Sequence, residues 1–114
     1  MPARKAPKPP AHLRRPSAEW WEAVRDSYEL EPHHTHLLTL ACEAYDRCQQ
    51  AREIIEAEGI TVRTADGGAK AHPAIAVERD SRLAFARLLR ELDLDVSAPA
   101  ETARLPGLRS NRRI

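Results

Sequence analysis

Aromatic side chains are scarce: two Trp, two Tyr and one Phe in 114 residues. With charged residues at 31%, a chain this short folds as one domain or less around a small aliphatic core. Cysteine is nearly absent as well. Cys42 and Cys48 are six residues apart, and six residues turn a helix by about 240°. The two thiols then face different ways and cannot bridge each other, so reduced thiols in a cytosolic protein are expected. No apolar run approaches the roughly 18 residues of a membrane span. The first 16 residues lack the apolar stretch of a secretory signal. Proline is rare in the middle, where only Pro32 and Pro73 fall between residues 17 and 98. That leaves two long stretches free to form helix.

Net charge is also small, at +1, but the average hides an arrangement. Residues 1–16 carry Arg4, Lys5, Lys8, Arg14 and Arg15 with no acid. Residues 17–58 carry ten acids against three bases, and residues 100–114 carry Arg104, Arg109, Arg112 and Arg113 against Glu101 alone. Basic ends on an acidic middle are the pattern of arms that meet a polyanion. Solvated tails that only aid solubility would carry the same composition. The five prolines of residues 1–16 predict an extended, mobile arm. Pro99, Pro106 and Gly107 predict a second one after the folded region.

What the chain does have is helical periodicity. Leu37, Ala41, Ala44, Cys48, Ala51 and Ile55 recur at spacings of four, three, four, three and four. They form one narrow stripe of a helix over 32–58, which would be roughly 40 Å long. A lone helix draws little stability from itself, so another part of the chain or a second copy must cover the stripe. Its small residues allow close approach. A shorter helix is expected at 17–28, with Ser17 as its cap and Glu19 and Glu22 near the positive end of its dipole. Trp20, Trp21, Val24 and Tyr28 share its apolar face and are expected to anchor the core. A stacking platform for bases is the alternative use of paired Trp.

The third helix is expected at 73–94, with a stripe of Val77, Ala84, Leu88 and Leu92 widened by Phe85 and Leu89. Arg79, Arg82, Arg87 and Arg90 gather within about 140° on its other side. Two uses fit them: phosphate contacts, or a solvated face paired with Glu78, Asp80 and Glu91. Between the long helices, Gly59 stops the first in a left-handed conformation. A β-hairpin at about 60–71 follows, turning at Asp66-Gly67-Gly68. The fold class is therefore mainly α: three helices and one hairpin (residues 17–95), flanked by a basic arm (1–16) and a basic tail (96–114).

No constellation for catalysis is present. The carboxylates fall on exposed faces, where paired acid–base work is disfavoured. The glycines match neither the Walker nor the dinucleotide spacing. His33, His34, His36 and Cys42 suggest zinc, and His33 and His36 have helical ligand spacing. Cys42 lies six residues beyond, however, and His72 is isolated, so no metal and no cofactor is expected.

The order of features from Leu13 to Arg113 resembles one family of phage terminase small subunits. A Pro/Lys-rich start leads into Pro10-Ala11-His12-Leu13 and a helix with Trp20-Trp21. Ala41-Cys42-Glu43-Ala44-Tyr45 and Ile54-Ile55-Glu56-Ala57-Glu58-Gly59 follow, and then an extended segment. Gly68 precedes His72-Pro73, a helix ends in Glu91-Leu92-Asp93-Leu94, and a Pro- and Arg-rich tail closes the chain. Two positions depart from the family pattern. The histidine cluster stands where an acidic residue usually opens the second helix, and His72 stands where asparagine usually precedes the proline. The tail Leu105-Pro106-Gly107-Leu108-Arg109 is only similar to the usual Pro-x-x-Arg.

The resemblance implies a ring-forming, non-catalytic protein that recognises viral double-stranded DNA. It would regulate a separate large subunit, which holds the ATPase and nuclease, in the host bacterial cytoplasm during phage assembly. On that expectation DNA is met by Arg4, Lys5, Lys8, Arg14, Arg15, Arg104, Arg109, Arg112 and Arg113. Copies meet through the stripe of Leu37, Ala41, Ala44, Cys48, Ala51 and Ile55. The competing function is a small helical protein–protein interaction module without a nucleic-acid role.

Overall fold

The computed structural model describes residues 7–94. The chain runs α1 (Arg15–Ser27), α2 (Pro32–Glu58), β1 (Thr61–Arg63), β2 (Ala69–Ala71) and α3 (Pro73–Leu92). The mainly helical class and the hairpin between the second and third helices are as expected, and the expectations for the ends beyond 7–94 lie outside the described residues. Each helix starts with a proline in its first two positions, where the missing N–H costs nothing and φ is already set.

That preference corrects the start of α1. The helix takes in Pro16 and begins at Arg15, which moves Ser17 from the cap to the third helical position. No acid lies in the first turn, so Glu19 and Glu22 do not meet the dipole there. The acid comes instead from α2. Asp46 Oδ2 accepts from the backbone N–H of the cap residue Arg14 at 2.9 Å, and Asp46 Oδ1 accepts from Ser17 Oγ. A carboxylate on a neighbouring helix thus satisfies a free donor and opposes the partial positive charge of the α1 terminus.

Leu13 is buried and joins the core with Trp21, Val24, Leu38, Cys42 and Leu92. The packed region therefore begins four residues before the expected boundary at Ser17. Trp20 and Tyr28 pack at the margin of this cluster, so α1 contributes its aromatic face to the core. Trp21 also donates from Nε1 to Thr39 Oγ1 at 3.1 Å.

Helices α2 and α3 run antiparallel. Glu58 meets His72, Cys48 meets Glu78, and the Tyr45 and Phe85 rings lie 5.4 Å apart. The α3 residues turned inward are Ala74, Glu78, Ser81, Phe85, Leu88 and Leu92, again at spacings of four, three, four, three and four. Two such stripes form the seam of a coiled-coil-like pair. The expected α3 stripe was rotated from this one, for Val77 is 40% exposed and Ala84 is exposed. Glu78 replaces Val77 in the seam because its carboxylate is fully engaged. Oε2 accepts from Arg52 Nε and Arg82 Nε at 3.2 Å each, and from Cys48 Sγ at 3.6 Å. Those bonds hold the carboxyl below its usual range, Arg82 contributing most.

The strands pair Thr61 with Ala71, Val62 with Lys70 and Arg63 with Ala69. Gly67 donates to Thr64 O, and the Asp66 carboxylate accepts from Thr64 Oγ1 and the Gly68 N–H, closing the turn. Gly59 ends α2 with φ 88° and ψ 174°. Positive φ was expected, but ψ departs from the left-handed helix, in a region open essentially to glycine alone. Helix α3 stops at Leu92, two residues short of expectation, because Asp93 takes the left-handed conformation instead.

His72 ties the base of the hairpin. Its Nδ1 accepts from the Ala74 N–H at 3.0 Å, capping α3, and Nε2 meets Glu58 Oε1 at 2.7 Å. The cap fixes the neutral tautomer with its proton on Nε2, which donates to Glu58. Nδ1 thus does the work of an asparagine Oδ1, and the second nitrogen adds a clasp to α2. His72→Ala is expected to cost about 1–2 kcal/mol by urea denaturation. His72→Asn is expected to fall between alanine and the native chain, since it keeps the cap and loses the clasp.

Candidate nucleic-acid interface

Of the nine cations expected to meet DNA, Arg4, Lys5, Arg104, Arg109, Arg112 and Arg113 lie outside the described residues. Lys8 is exposed and makes no ion pair with another described residue. Arg15 is exposed, with Nε 3.8 Å from Glu19 Oε2. Arg14 is engaged elsewhere. It forms a two-point pair with Glu53, at 2.9 Å from Nη1 to Oε2 and 3.1 Å from Nη2 to Oε1. That bond raises the guanidinium's pKa and lowers the carboxyl's. His12 Nε2 lies 2.8 Å from Glu43 Oε2. The segment from Pro10 to Arg14 is therefore a strap across α2, and the expected mobile arm does not extend to Arg14.

Sequence reasoning passed over three other exposed cations. Arg47 on α2 and Arg63 and Lys70 on the hairpin are exposed and make no ion pair with a described residue. The two hairpin cations could have been found from sequence. The hairpin's one acid is Asp66, and the Thr64 bond, with the Gly68 N–H, holds that carboxyl low and engaged in the turn. On α3, Arg82 turns to Glu78 and Arg79 Nε bonds Asp80 Oδ1 at 3.2 Å, while Arg87 and Arg90 stay exposed without such a partner. Pairing with α3 acids, one of the two expectations for this face, accounts for half of the four arginines.

The expected self-association stripe is divided. Ala41, Cys48 and Ala51 are buried within one chain, and Leu37, Ala44 and Ile55 are half-buried. The returning α3 supplies most of the cover, because small residues on α2 let it in closely. Apolar surface remains elsewhere: Leu40 is 49% exposed and Leu83 56%. A shallow groove of about 250 Å³ between α2 and α3 is lined by Ala51, Ile54, Pro73, Ala74 and the exposed Val77. A second, of about 240 Å³, is lined by Pro16, Trp20, Tyr45 and Phe85.

The histidines at the start of α2 have a structural use. His34 Nδ1 accepts from the Glu31 N–H at 3.4 Å, and the His33 and His34 rings lie 4.1 Å apart. Glu31, the cap residue of α2, puts an acid one position before Pro32. Among the described residues no three His, Cys, Asp or Glu side chains group as a metal site would need.

Neither thiol is poised for chemistry. Burial, with Asp46 and Glu43 adding to it, pushes the Cys42 thiol up to about 12. Burial raises Cys48 too. In the unfolded chain the Cys42 thiol ionises near 9.0. Its contribution to stability is therefore intact below that pH. It is lost as pH rises toward 12, because the unfolded state there releases a proton that the folded state keeps. Cys42→Ala is expected to flatten the fall in urea midpoint between pH 8 and pH 10, whatever its effect at neutral pH.

A family model described as phage terminase, small subunit, matches residues 18–107. No curated protein and no solved structure matches the chain.

Proposed function

We infer that this chain, which belongs to the phage terminase small-subunit family and so to the machinery of phage genome packaging, is the DNA-binding, self-associating and regulatory component of that machinery. In this role it forms a ring, meets viral double-stranded DNA at the packaging start and regulates the large ATPase and nuclease subunit. It carries out no chemistry of its own and acts in the host bacterial cytoplasm. The family match across residues 18–107 carries this conclusion.

Three features of the molecule support it. The described residues contain no helix long and apolar enough to cross a membrane. Leu40, Val77 and the groove beside Val77 leave apolar surface on the α2–α3 pair for a second copy. In the ring, the half-buried Leu37, Ala44 and Ile55 extend that surface. Cations at Lys8, Arg15, Arg63 and Lys70 are exposed, and a ring would multiply each of them. Many weak phosphate contacts then give avidity without any single strong site.

Two measurements test this. Light scattering is expected to give the mass of a closed multi-copy assembly; a monomer at high concentration overturns the ring. Duplex titration is expected to show binding that weakens steeply with salt. The comparison protein should lack residues 1–8 and 96–114 only, since Leu13 and Arg14 belong to the folded region. Equal binding by both proteins removes the two ends from the mechanism.

A further inference from the structure

We propose that the outward face of α3, centred on Leu83 and carrying Arg79, Arg87 and Arg90, is a contact site for the sugar–phosphate backbone of duplex DNA. The proposal deepens the DNA-binding function argued above and rests on it. The buried side of α3 is marked by Ala74 and Leu92. At about 100° per residue, Leu83 points directly away from both. Within about 60° on either side of Leu83 lie Ala76, Arg79, Ala86, Arg87 and Arg90, with one acid, Asp80, at the edge and paired with Arg79. Glu91 sits just outside this arc.

The acids of α3 leave Arg87 and Arg90 without an ion pair among the described residues. Glu78 turns into the seam, where it takes up Arg52 and Arg82. Asp80 bonds Arg79 through Nε only. Arg87 is four residues before Glu91, yet neither it nor Arg90 makes an ion pair with a described residue. Both side chains are exposed.

The shape suits a polyanion at close range. Leu83 is 56% exposed, and the two alanines beside it leave the helix backbone open to approach. Arg79 to Arg90 spans about 16 Å along the axis, the rise of about five base pairs. Guanidinium groups pair with phosphate oxygens in a two-point geometry that lysine cannot match, and every cation of this arc is arginine.

The test uses full-length protein and a fluorescein-labelled duplex, with binding followed by anisotropy at salt concentrations from about 50 to about 200 mM. Arg87→Gln with Arg90→Gln is compared with the native chain and with a tail variant carrying Gln at 104, 109, 112 and 113. The α3 variant should keep the native circular dichroism, since both residues are exposed and neither pairs with a described residue. It is expected to lose about tenfold in affinity at the lowest salt, and its salt slope should fall by about 2. Native affinity and slope in the α3 variant, with a loss confined to the tail variant, overturns this site and leaves DNA binding standing. An altered light-scattering mass at unchanged affinity assigns the face to a neighbouring copy and also overturns it. Failure of the native chain to bind any duplex at the lowest salt removes the parent function, and this site with it.

Discussion

Trp21→Ala is expected to lower the free energy of unfolding by about 3–5 kcal/mol, the largest effect of any single substitution in the folded region. Trp21 is 3% exposed at the centre of the cluster formed by Leu13, Val24, Leu38, Cys42 and Leu92. It fastens α1 to α2 in two ways. Its indole fills the gap between them, and Nε1 donates to Thr39 Oγ1. The Arg25 guanidinium lies 5.6 Å from the ring and shields its outer side. With so few large side chains in the chain, no neighbour can collapse into the space left. Small domains have only about 5–15 kcal/mol in total, so the loss approaches the whole stability of α1 docking. Urea denaturation gives the midpoint shift. Trp21→Phe should recover more than half of it, since the ring is kept and one hydrogen bond is lost. A loss below about 1 kcal/mol for alanine would mean that α1 is not fastened through this residue.

Asp46→Ala is expected to cost about 2–3 kcal/mol. The carboxylate accepts from the Arg14 N–H and from Ser17 Oγ, and both bonds hold the first turn of α1 against the middle of α2. Removing it strands a backbone donor at a helix terminus and leaves the buried Ser17 hydroxyl without its acceptor. The opposition of negative charge to the helix dipole is lost as well. Asp46→Asn keeps one acceptor oxygen and should fall near half of the alanine loss. Hydrogen exchange at Ser17 and Ala18 should quicken more than exchange in α3, because the damage is local to α1. Uniform quickening across the chain would show that Asp46 supports the whole fold and does not serve as the cap of one helix.

The same contact bears on function. Arg14 is counted among basic residues by composition, yet Asp46 and Glu53 hold it on α2. Any DNA-binding role for the N-terminal end therefore falls to the residues before the strap and to the exposed Arg15. The Glu53 pair is exposed and contributes little to stability on its own. Its consequence is positional, because with the His12–Glu43 contact it holds the segment from His12 to Arg14 on α2.

How far the sequence could be read depended on the kind of signal. The bounds of α2 were legible to the residue, since Pro32 opens it, Gly59 closes it and one periodic stripe runs between. The hairpin was legible from Asp66-Gly67-Gly68 and the β-branched run before it. The start of α1 was misplaced because Ser17 is a good cap in isolation. Pro16 is a better first-turn residue, and Asp46, 29 residues away in sequence, makes Ser17 more useful inside the helix. The α3 stripe was drawn through Val77 because valine is apolar and Glu78 is not. No count of hydrophobicity along one helix can show that Arg52 and Cys48 wait opposite to receive a carboxylate.

The bounds of α2, the turn and the family are local or ordered properties of this chain, and the residues alone determined them. Caps, periodicity and glycine act over a few positions, and a family is recognised by the sequence of such features. Which face of α3 turns inward, which arginine is held and which stays available, and where the N-terminal end becomes part of the fold were decided only when the helices met. Each depends on a charge or a methyl group supplied from another element. The energy of burying Glu78 or docking Arg14 is set by that partner and by nothing in its own neighbourhood of the chain.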